Sequence, residues 1–394
     1  MSRRIRVLCA IGSLDIGGAE RQMIQILRYL DRQRFEPLLY LTHNRGDLRA
    51  QIPDDVPVHS FWEHRQFPRF NYPGRLYRAQ IADLAQVIAQ QQIDVVYDRT
   101  FTMTLFAGPA SDRAQKPRVS CIASDPKVDL PPSAGRFLRI KRRKLAQAYR
   151  SAFQVVTVSD GVRQSALDYY QLAPSQVTTI LNGVDLQQVE QRSTEFTPDF
   201  PADRFHIVAC GRLHPSKGYP HLMDAVATLG QHKQLVTLHI LGEGSERARL
   251  EKQIEQLSQQ PTFADFVEIK LHGYVENPLP YIRAANLFCL SSVYEGLPNA
   301  LLEAIACGTP VVATDCDFGP REILSGGRYG HLVTPPDTLQ AALLDAIQHP
   351  ERDRERTVPA RKSLAENYSL KRCISQLEDL LEAAVHQTDP VHSQ

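Results

Sequence analysis

The stretch YEGLPNALLEAIACGTPVVATD, residues 294–315, contains a loop, a helix and a strand in close succession. Pro298 fits the first turn of a helix, where its missing N–H leaves no hydrogen bond unmade. The run NALLEAIAC consists of good helix formers, and Gly308 is a typical helix end. VVATD then has the composition of a buried strand. A helix that leads directly into a buried strand is typical of a parallel α/β sheet.

The same stretch places Glu295 in the loop before the helix and Glu303 inside the helix, eight residues later. The backbone N–H groups at the helix start, near Leu297, Asn299 and Ala300, suit a phosphate. An ionised carboxylate only accepts hydrogen bonds, so its natural partner beside a phosphate is a hydroxyl. The two glutamates therefore indicate a ligand with a central phosphate and hydroxyl-rich ends, such as a nucleotide-sugar. The alternative is one solvated glutamate and one that caps the helix.

Strands and helices alternate on both sides of this stretch, which predicts parallel sheets with crossover helices. The polar segment LQQVEQRSTEFTPDFPADR interrupts the alternation once and reads as a linker. The expected fold class is α/β, with two doubly wound, Rossmann-like domains facing an interdomain cleft where the strands end. The predicted boundaries are 1–188 for the first domain, 189–204 for the linker, 205–368 for the second domain, and 369–394 for a C-terminal helix, packing on either domain, and a frayed tail.

Composition and charge exclude several classes of protein. The 394 residues include 45 basic and 44 acidic side chains, which argues against a nucleic-acid-binding protein. The charge is divided unevenly, because residues 1–190 hold 26 basic and 18 acidic side chains and the remainder holds 19 and 26. The seven cysteines form no CxxC pair, which indicates reduced thiols in a cytosolic protein. No stretch approaches the length of a transmembrane helix, and the short apolar run after the first arginines leads into a strand-to-helix loop rather than a signal cleavage site.

The segment GRLHPSKGYPHL follows the strand HIVAC and carries Arg212 and Lys217. Two cations at the carboxyl end of a strand suit a diphosphate, because arginine offers a bidentate fork and lysine a point charge. The alternative is a basic surface loop.

Two glycine-containing loops also follow strands. Gly17 and Gly18 precede a helix and can present N–H groups to an anion, although the loop lacks a GxGxxG fingerprint. Gly242 lies in LGEGSER, where a tight turn is the simpler interpretation.

The tripeptide DCD at residues 315–317 resembles the DxD metal motif found in some sugar-transfer enzymes. No further carboxylate or histidine cluster accompanies it, so we expect no metal site. No Ser/His/Asp set and no zinc spacing are visible either.

The segment GRFLRIKRRKLAQAYR holds seven cations between Arg136 and Arg150, and no acidic residue occurs from Leu130 to Ser159. Apolar residues interleave with the charges, which is typical of a basic amphipathic helix on an anionic membrane surface. The alternatives are the solvated face of a packed helix and, less in keeping with the overall charge, a nucleic-acid contact. The predicted membrane-binding cations are Arg139, Lys141, Arg142, Arg143 and Lys144.

Taken in order, the motifs GRL…KG, E-x7-E within YEGLPNALLEA, CGTPVVATD and PREIL are similar to those of the retaining GT-B glycosyltransferases of family 4, group 1. The resemblance spans essentially the whole chain, rests on GGAER in the first half, and extends from Gly211 to about Val333 in the second. It implies metal-independent transfer of a sugar from a nucleotide-sugar with retention of the anomeric configuration. It implies no cofactor besides the nucleotide-sugar, which is a co-substrate.

The resemblance also implies roles for individual residues. Arg212 and Lys217 would bind the donor diphosphate and stabilise its developing charge. Glu303 would hold the ribose hydroxyls, and Glu295 would meet the transferred sugar. The remaining donor-binding residues that it implies are Gly17, Gly18, Gly242, Gly273, Tyr274, Gly296, Leu297, Pro298 and Asn299.

This sequence departs from the family's pattern at one place. A sugar-binding histidine commonly follows a later first-domain strand, whereas this chain reads CIASDP there. We predict that Asp125, with a catalytic role, and Asp98 take its place on the acceptor side.

The function implied is therefore a glycosyltransferase that acts on a glycan or lipid-linked acceptor in surface polysaccharide or glycolipid biosynthesis. Its predicted location is cytoplasmic, peripheral at the inner face of the membrane. Two alternatives remain open: a sugar-nucleotide epimerase of the same fold, and a non-catalytic protein that binds sugar-nucleotides. The epimerase would require acid and base side chains from both domains and would lack the E-x7-E setting.

Overall fold

The computed structural model describes residues 3–63, 65, 67, 74–334 and 338–388 of the chain. The chain divides into two compact units, and each is described by itself. The first comprises Met1–Asn182 together with Lys371–Gln394, and the second comprises Gly183–Leu370.

In the described part of the first unit, seven parallel strands form one sheet in the order β3-β2-β1-β4-β5-β6-β7. The order reverses between β1 and β4, as expected for a doubly wound sheet. Because helices cover both faces, even the polar residues of β4 and β5 are buried. The strands are β1 Ile5–Ile11, β2 Phe35–Leu41, β3 Val58–Ser60, β4 Val95–Arg99, β5 Arg118–Ile122, β6 Gln154–Thr157 and β7 Val177–Thr179.

The helices that connect these strands place their apolar faces on the sheet. In α1, for example, Met23, Ile24 and Leu27 are buried at the spacing of a helix period. The helices of this part of the chain are α1 Gly18–Tyr29, α2 Arg75–Gln90, α3 Phe101–Ala114, α4 Pro126–Ala134, α5 Leu138–Ser151 and α6 Asp160–Tyr170.

The described part of the second unit contains a six-stranded parallel sheet in the order β10-β9-β8-β11-β12-β13. The helix and strand predicted from residues 294–315 are present. The strands are β8 Phe205–Cys210, β9 Val236–Leu241, β10 Val267–Gly273, β11 Leu287–Leu290, β12 Val311–Thr314 and β13 His331–Val333. The helices are α7 Leu186–Arg192, α8 Tyr219–Leu229, α9 Arg247–Leu257, α10 Pro261–Phe266, α11 Leu279–Ala284, α12 Asn299–Cys307, α13 Pro320–Ile323, α14 Leu339–Gln348 and α15 Pro350–Asn367. These two sheets confirm the predicted class of two Rossmann-like α/β units.

The segment that was expected to be a linker contains a helix. Residues 186–192 form α7, and its Glu190 pairs with Arg283 of α11 at 2.8 Å. The side chain of Asn277 donates to the carbonyl of Arg192 at 2.8 Å. The polar composition therefore reflects a helix tied to the second unit by hydrogen bonds and ion pairs, and the boundaries between the two units fall at 182–183 and again at 370–371.

The C-terminal helix α16, Leu370–Thr388, contributes residues to the first unit. Arg34, just before β2, donates to Glu382 at 2.8 Å and to Glu378 at 3.1 Å. The backbone N–H of Asp31 donates to the other oxygen of Glu378 at 2.8 Å. The Arg34 guanidinium lowers the pKa of the Glu382 carboxyl through their hydrogen bond. These bonds hold α16 against the turn that precedes β2.

Within the described residues, no helix combines the length and apolar character needed to cross a bilayer.

Three histidines on neighbouring strands form a hydrogen-bonded row in the second unit. Nδ1 of His206 lies 3.0 Å from Nε2 of His239, and Nδ1 of His239 lies 2.9 Å from Nε2 of His272. Nε2 of His206 lies 2.8 Å from the carbonyl oxygen of Pro201, which can only accept. The row is satisfied when each Nε2–H donates to the next acceptor. Phe200 stacks on the rings of His206 and His239.

This row predicts a loss of stability in mild acid. Burial, reinforced by His272, His206 and Lys270, lowers the pKa of His239 to about 3. The unfolded chain takes up that proton below about pH 6.5, whereas the folded chain does not, so stability falls as the pH falls through this range. We expect a loss of about 2 kcal/mol from this group between about pH 7.5 and about pH 5.

Urea unfolding of the wild type and of His239→Gln at several pH values measures the effect. The variant will be less stable at neutral pH, but its stability should change less on acidification. An equal change in both proteins would contradict the assignment to His239.

Candidate functional site

The residues predicted to bind a diphosphate and a sugar lie at the carboxyl ends of β8 and β11. These two strands are neighbours, and the strand order reverses between them. Arg212 and Lys217 follow β8, and Glu295 follows β11. In doubly wound sheets, ligands bind at this reversal point. The topology thus brings together two segments that are 78 residues apart in sequence.

A lysine and a serine hold one oxygen of Glu295. Nζ of Lys217 donates to Oε1 of Glu295 at 2.6 Å, and Oγ of Ser292 donates to the same oxygen at 2.6 Å. The two charged side chains are 22% and 11% exposed, so water reaches their outer edges only. Among the described residues, Oε2 of Glu295 has no hydrogen-bond partner. It is therefore the oxygen that can accept from a ligand hydroxyl.

Backbone contacts fix the loop after β8 against the loop after β11. Oγ of Ser291 donates to the carbonyl of Lys217 at 2.8 Å, and the N–H of Val293 donates to the carbonyl of Ser216 at 2.8 Å. Gly218 has a φ of +63°, and a Cβ there would lie 2.1 Å from the carbonyl oxygen of Ser291. Only glycine allows both the conformation and this close approach.

Arg212 is the second cation of this loop, and it is exposed. Its guanidinium makes no hydrogen bond or ion pair with any residue that the structure describes. The site therefore contains one cation that Glu295 neutralises and one cation that is available. An anionic ligand with two phosphates matches that arrangement.

Helix α12 begins directly after the Glu295 loop. Pro298 stands at the N-cap position and has no side-chain acceptor with which to cap the helix. The positive end of the helix dipole therefore faces the loop. Leu297 is only 5% exposed, so its side chain packs inward. Glu303 lies in the second turn and is partly exposed, which agrees with its predicted position inside the helix.

The ends of β9 and β10 and the loops after them carry Gly242, Gly273 and Tyr274, which the resemblance implies are donor-binding residues that line the nucleoside. The N–H of Gly242 donates to the carbonyl of Gly273 at 2.8 Å. A Cβ on Gly242 would lie 2.0 Å from the carbonyl oxygen of Gly211. This glycine thus lets three strand ends pack together, which is a structural reason for its presence. Tyr274 follows and is 37% exposed, and its contact with a nucleoside stays a prediction.

The DCD tripeptide is engaged in an ion pair. Both carboxylate oxygens of Asp315 accept from Arg321, one of them from Nε at 3.1 Å. Within the described residues, no group of three or more metal-ligating side chains is present. The charge of the first aspartate of this DxD-like motif, Asp315, is therefore compensated by Arg321 of the same unit.

In the first unit, Gly17 is the N-cap of α1 and Gly18 is its first residue. A Cβ on Gly17 would lie 2.2 Å from Oε2 of Glu20, so this carboxylate folds back over the helix start. An anion at this helix end would have to displace Glu20. The predicted phosphate contact of Gly17 and Gly18 stays a prediction.

Asp125 is a helix cap rather than an open carboxylate. It is 3% exposed, and its Oδ1 accepts from the N–H of Lys127 at 2.9 Å and from Oγ of Ser165 at 2.5 Å. Both partners hold the start of α4, so the structure gives this side chain a structural task. Because this carboxylate is buried and already accepts two hydrogen bonds, its predicted catalytic and acceptor-side roles stay predictions.

Asp98 lies in the core of the first unit and is fully buried. Its Oδ1 accepts from Arg118 at 3.1 Å and from Ser120 at 2.5 Å, and its Oδ2 accepts from Thr104 at 2.5 Å. Arg118 is 1% exposed, so the two charges compensate each other away from water. Asp98 is thus a core residue paired with Arg118, and its predicted contact with an acceptor stays a prediction.

The predicted membrane helix is α5, and four of its five predicted cations fall into two sets. Arg142 donates to the carbonyl of Tyr169 at 2.7 Å and lies over that ring, and Lys144 lies 3.8 Å from the ring centre of Tyr77. Both bind neighbouring helices. Arg139 and Arg143 are exposed and make no such contact with the described residues. The exposed apolar residues Phe137 (49%) and Ile140 (57%) lie beside them.

Sequence reasoning missed Ser292 and Arg321. Ser292 lies three residues before Glu295, just after a strand. A serine there becomes a candidate site residue only once the end of that strand is known. Arg321 lies within PREIL, six residues after Asp315. Its partner is determined by the path of the chain after β12.

Comparison with known families gives two matches along the chain. Residues 16–188 match the model described as "Glycosyltransferase Family 4". Residues 204–350 match the model described as "Glycosyl transferases group 1". Together the two matches cover most of both structural units.

Individual relatives agree with these matches. The chain is 30% identical over 185 residues to the N-acetylgalactosamine-N,N'-diacetylbacillosaminyl-diphospho-undecaprenol 4-alpha-N-acetylgalactosaminyltransferase of Campylobacter jejuni, a match that spans 47% of each protein. It is 24% identical to the lipopolysaccharide 1,6-galactosyltransferase of Escherichia coli over 67% of this chain and 68% of that enzyme. The structure of HepE from Anabaena in complex with UDP superposes with a TM-score of 0.76, at 22% identity, over 97% of this chain and all of that one. At this identity the superposition establishes the shared fold alone.

Proposed function

The protein belongs to glycosyltransferase family 4, with the group 1 glycosyltransferase domain on a GT-B fold, and from that membership we propose that it transfers a sugar from a nucleotide-sugar to a glycan or lipid-linked acceptor. The relatives that act in lipopolysaccharide and undecaprenyl-linked glycan synthesis support an acceptor of this class. The solved neighbour that binds UDP supports a uridine nucleotide as the donor's leaving group.

The observation that carries the proposal is the arrangement at the reversal point of the second sheet. Arg212 is an uncompensated cation there, and Lys217 lies beside it on the same loop. The α12 N-terminus adds positive potential without a side-chain cap. One oxygen of Glu295 stays open for a hydroxyl. A diphosphate linked to a sugar satisfies all of these groups at once.

Catalysis by these residues is electrostatic. When the bond between the sugar and the diphosphate breaks, negative charge develops on the phosphate oxygens. Arg212, Lys217 and the helix start stabilise that charge in position, which lowers the barrier to departure. The acceptor hydroxyl attacks from the side of the leaving phosphate, and a phosphate oxygen takes its proton, so the anomeric configuration is retained.

The test is a product assay with a panel of nucleotide-sugars and lipid-linked acceptors. Mass spectrometry should find one acceptor extended by one sugar, with release of the nucleoside diphosphate, and NMR of the product should show the donor's anomeric configuration. Epimerisation of the nucleotide-sugar without an acceptor would favour the epimerase alternative. Binding of the donor without any turnover would favour a non-catalytic protein.

We also expect transfer to need no divalent metal. The motivation is that Arg321 compensates Asp315, while cations and a helix end take the place of a metal at the diphosphate. An excess of EDTA should leave the initial rate unchanged, and Asp317→Ala should have little effect. A rate lost in EDTA and restored by Mn²⁺ or Mg²⁺ would contradict this prediction.

We further propose that the first unit binds an anionic membrane surface through the N-terminal half of α5. The exposed residues Phe137 and Ile140 would enter the headgroup region, while Arg139 and Arg143 would meet anionic lipid. Each such cation contributes about 1 kcal/mol near an anionic leaflet. The protein would then act peripherally at the inner face of the cytoplasmic membrane, close to lipid-linked acceptors.

Co-sedimentation with vesicles tests this surface. Binding should require anionic lipid, weaken as salt rises, and fall strongly in the double variant Arg139→Gln/Arg143→Gln. The matched control is Arg142→Gln/Lys144→Gln, which removes the same charge from side chains that bind within the unit and should have the smaller effect. If both double variants bind as the wild type does, or if the wild type ignores anionic vesicles at low salt, α5 is only a solvated helix.

A further inference from the structure

We propose that a diphosphate competes with Glu295 for Lys217, and that this competition makes the site prefer an intact nucleotide-sugar to a free diphosphate. Without a ligand, Lys217 and Glu295 neutralise each other. A donor diphosphate therefore has to draw Lys217 away from Glu295. The inference rests on the proposed function, because it concerns the same donor site.

The first step is the strength of the pair. Nζ of Lys217 and Oε1 of Glu295 are 2.6 Å apart, and both side chains are largely shielded from water. Screening by solvent and salt is weaker at such partly buried positions than at the surface. Lysine has three donor hydrogens but a single charge. A phosphate that binds Lys217 therefore weakens the electrostatic attraction between Lys217 and Glu295.

The second step is what holds Glu295 when Lys217 turns to a phosphate. Ser292 is 1% exposed, and its Oγ donates to Oε1 of Glu295 at 2.6 Å. The carbonyl of Ser292 accepts from Oγ1 of Thr314 at 2.5 Å, which anchors it to β12. The backbone that carries this hydroxyl is therefore anchored to the neighbouring strand β12. The hydroxyl positions the carboxylate independently of the lysine.

The third step is the difference between two ligands. A free diphosphate takes Lys217 and leaves the charge of Glu295 close to its own charges. An intact nucleotide-sugar takes Lys217 as well, but its sugar hydroxyls can donate to the open Oε2 of Glu295. The pair therefore penalises the free diphosphate more than the donor. That penalty favours release of the nucleoside diphosphate after transfer.

Calorimetric titration with inorganic pyrophosphate and with UDP tests the competition in the full-length protein. Glu295→Gln keeps the shape of the side chain and removes its charge, which frees Lys217. We expect this variant to bind pyrophosphate and UDP about three- to tenfold more tightly than the wild type. The matched control is Glu251→Gln, which removes a carboxylate from an exposed pair with Arg247 of the same unit and should change neither affinity.

A double-mutant cycle separates competition for Lys217 from simple repulsion. In a Lys217→Met background, Glu295→Gln should bring little or no gain in affinity for pyrophosphate. An equal gain in both backgrounds, or no gain in either, would overturn this inference and leave the proposed function intact. A wild-type protein that binds neither pyrophosphate nor UDP would overturn the proposed function, and this inference with it. A single cooperative thermal transition of Glu295→Gln, with a melting temperature no more than slightly below that of the wild type, confirms that the variant is folded.

Ser292→Ala tests the positioning role. Pyrophosphate affinity should stay within about twofold of the wild type, because Lys217 and Glu295 are retained, while kcat should fall about tenfold, because the carboxylate is no longer held in place. An unchanged kcat would show that Ser292 does not position Glu295.

Discussion

Replacing Arg212 with alanine should lower the rate of sugar transfer by about 10²-fold or more, which corresponds to about 2.7 kcal/mol of lost transition-state stabilisation. Arg212 is the one predicted diphosphate-binding side chain that is exposed and has no partner among the described residues. Lys217, the other cation of that loop, cannot replace it, because lysine offers a point charge and not the bidentate fork of a guanidinium. The effect should appear in kcat/KM, measured as release of the nucleoside diphosphate in the presence of an acceptor.

Arg249→Ala is the matched control for this experiment. Arg249 is 65% exposed and pairs with Glu246 at 2.8 Å in the same unit, so its loss removes an equal charge without touching the donor loop. Its rate should stay within about twofold of the wild type. Arg212→Lys should recover only part of the activity, because lysine cannot form the bidentate contact. A fully active Arg212→Ala protein would remove the basis of the proposed donor site.

Replacing Asp98 with asparagine should destabilise the first unit by about 3 kcal/mol or more. The substitution leaves Arg118 charged and buried without its counter-ion, and weakens the bonds from Ser120 and Thr104. Activity per folded molecule should change little, since the carboxylate is fully buried. Urea unfolding measures the first quantity, and a rate assay well below the melting temperature measures the second.

Asp168→Asn provides the comparison for Asp98. Asp168 belongs to the same unit and faces Lys127 at 3.6 Å across an exposed pair, so its loss should cost less than about 1 kcal/mol. The opposite pattern at Asp98, with stability intact and transfer lost, would support the prediction that this residue meets the acceptor.

The two carboxylates predicted on the acceptor side show how far sequence reasoning extends. Asp98 and Asp125 each lie at or just after a buried strand, where ligand-binding residues are common. Asp98 instead compensates Arg118, which β5 places beside it, and Asp125 caps α4. The position at a strand end was correct in both cases. Their partners, which decide what a carboxylate can do, come from other elements.

The sequence by itself determined the elements and their class. Alternating buried strands and amphipathic helices are local patterns, set by the periods of strand and helix, so β1, α12 and β12 could be located without the structure. The motifs around Arg212, Lys217, Glu295 and Glu303 determined the family for the same reason, since each is a short run of adjacent residues. Those features need no knowledge of which strands become neighbours.

Only the tertiary structure decided which side chains meet. The order of the second sheet places the loops after β8 and β11 side by side, and that neighbourhood joins Lys217 to Glu295 and Ser292 while leaving Arg212 open. In the same way, the packing of α5 on its neighbours uses Arg142 and Lys144 and leaves Arg139 and Arg143 exposed. Charge and hydrogen bonding act over a few ångströms in space. Distance along the chain carries no information about such contacts until the strands are arranged.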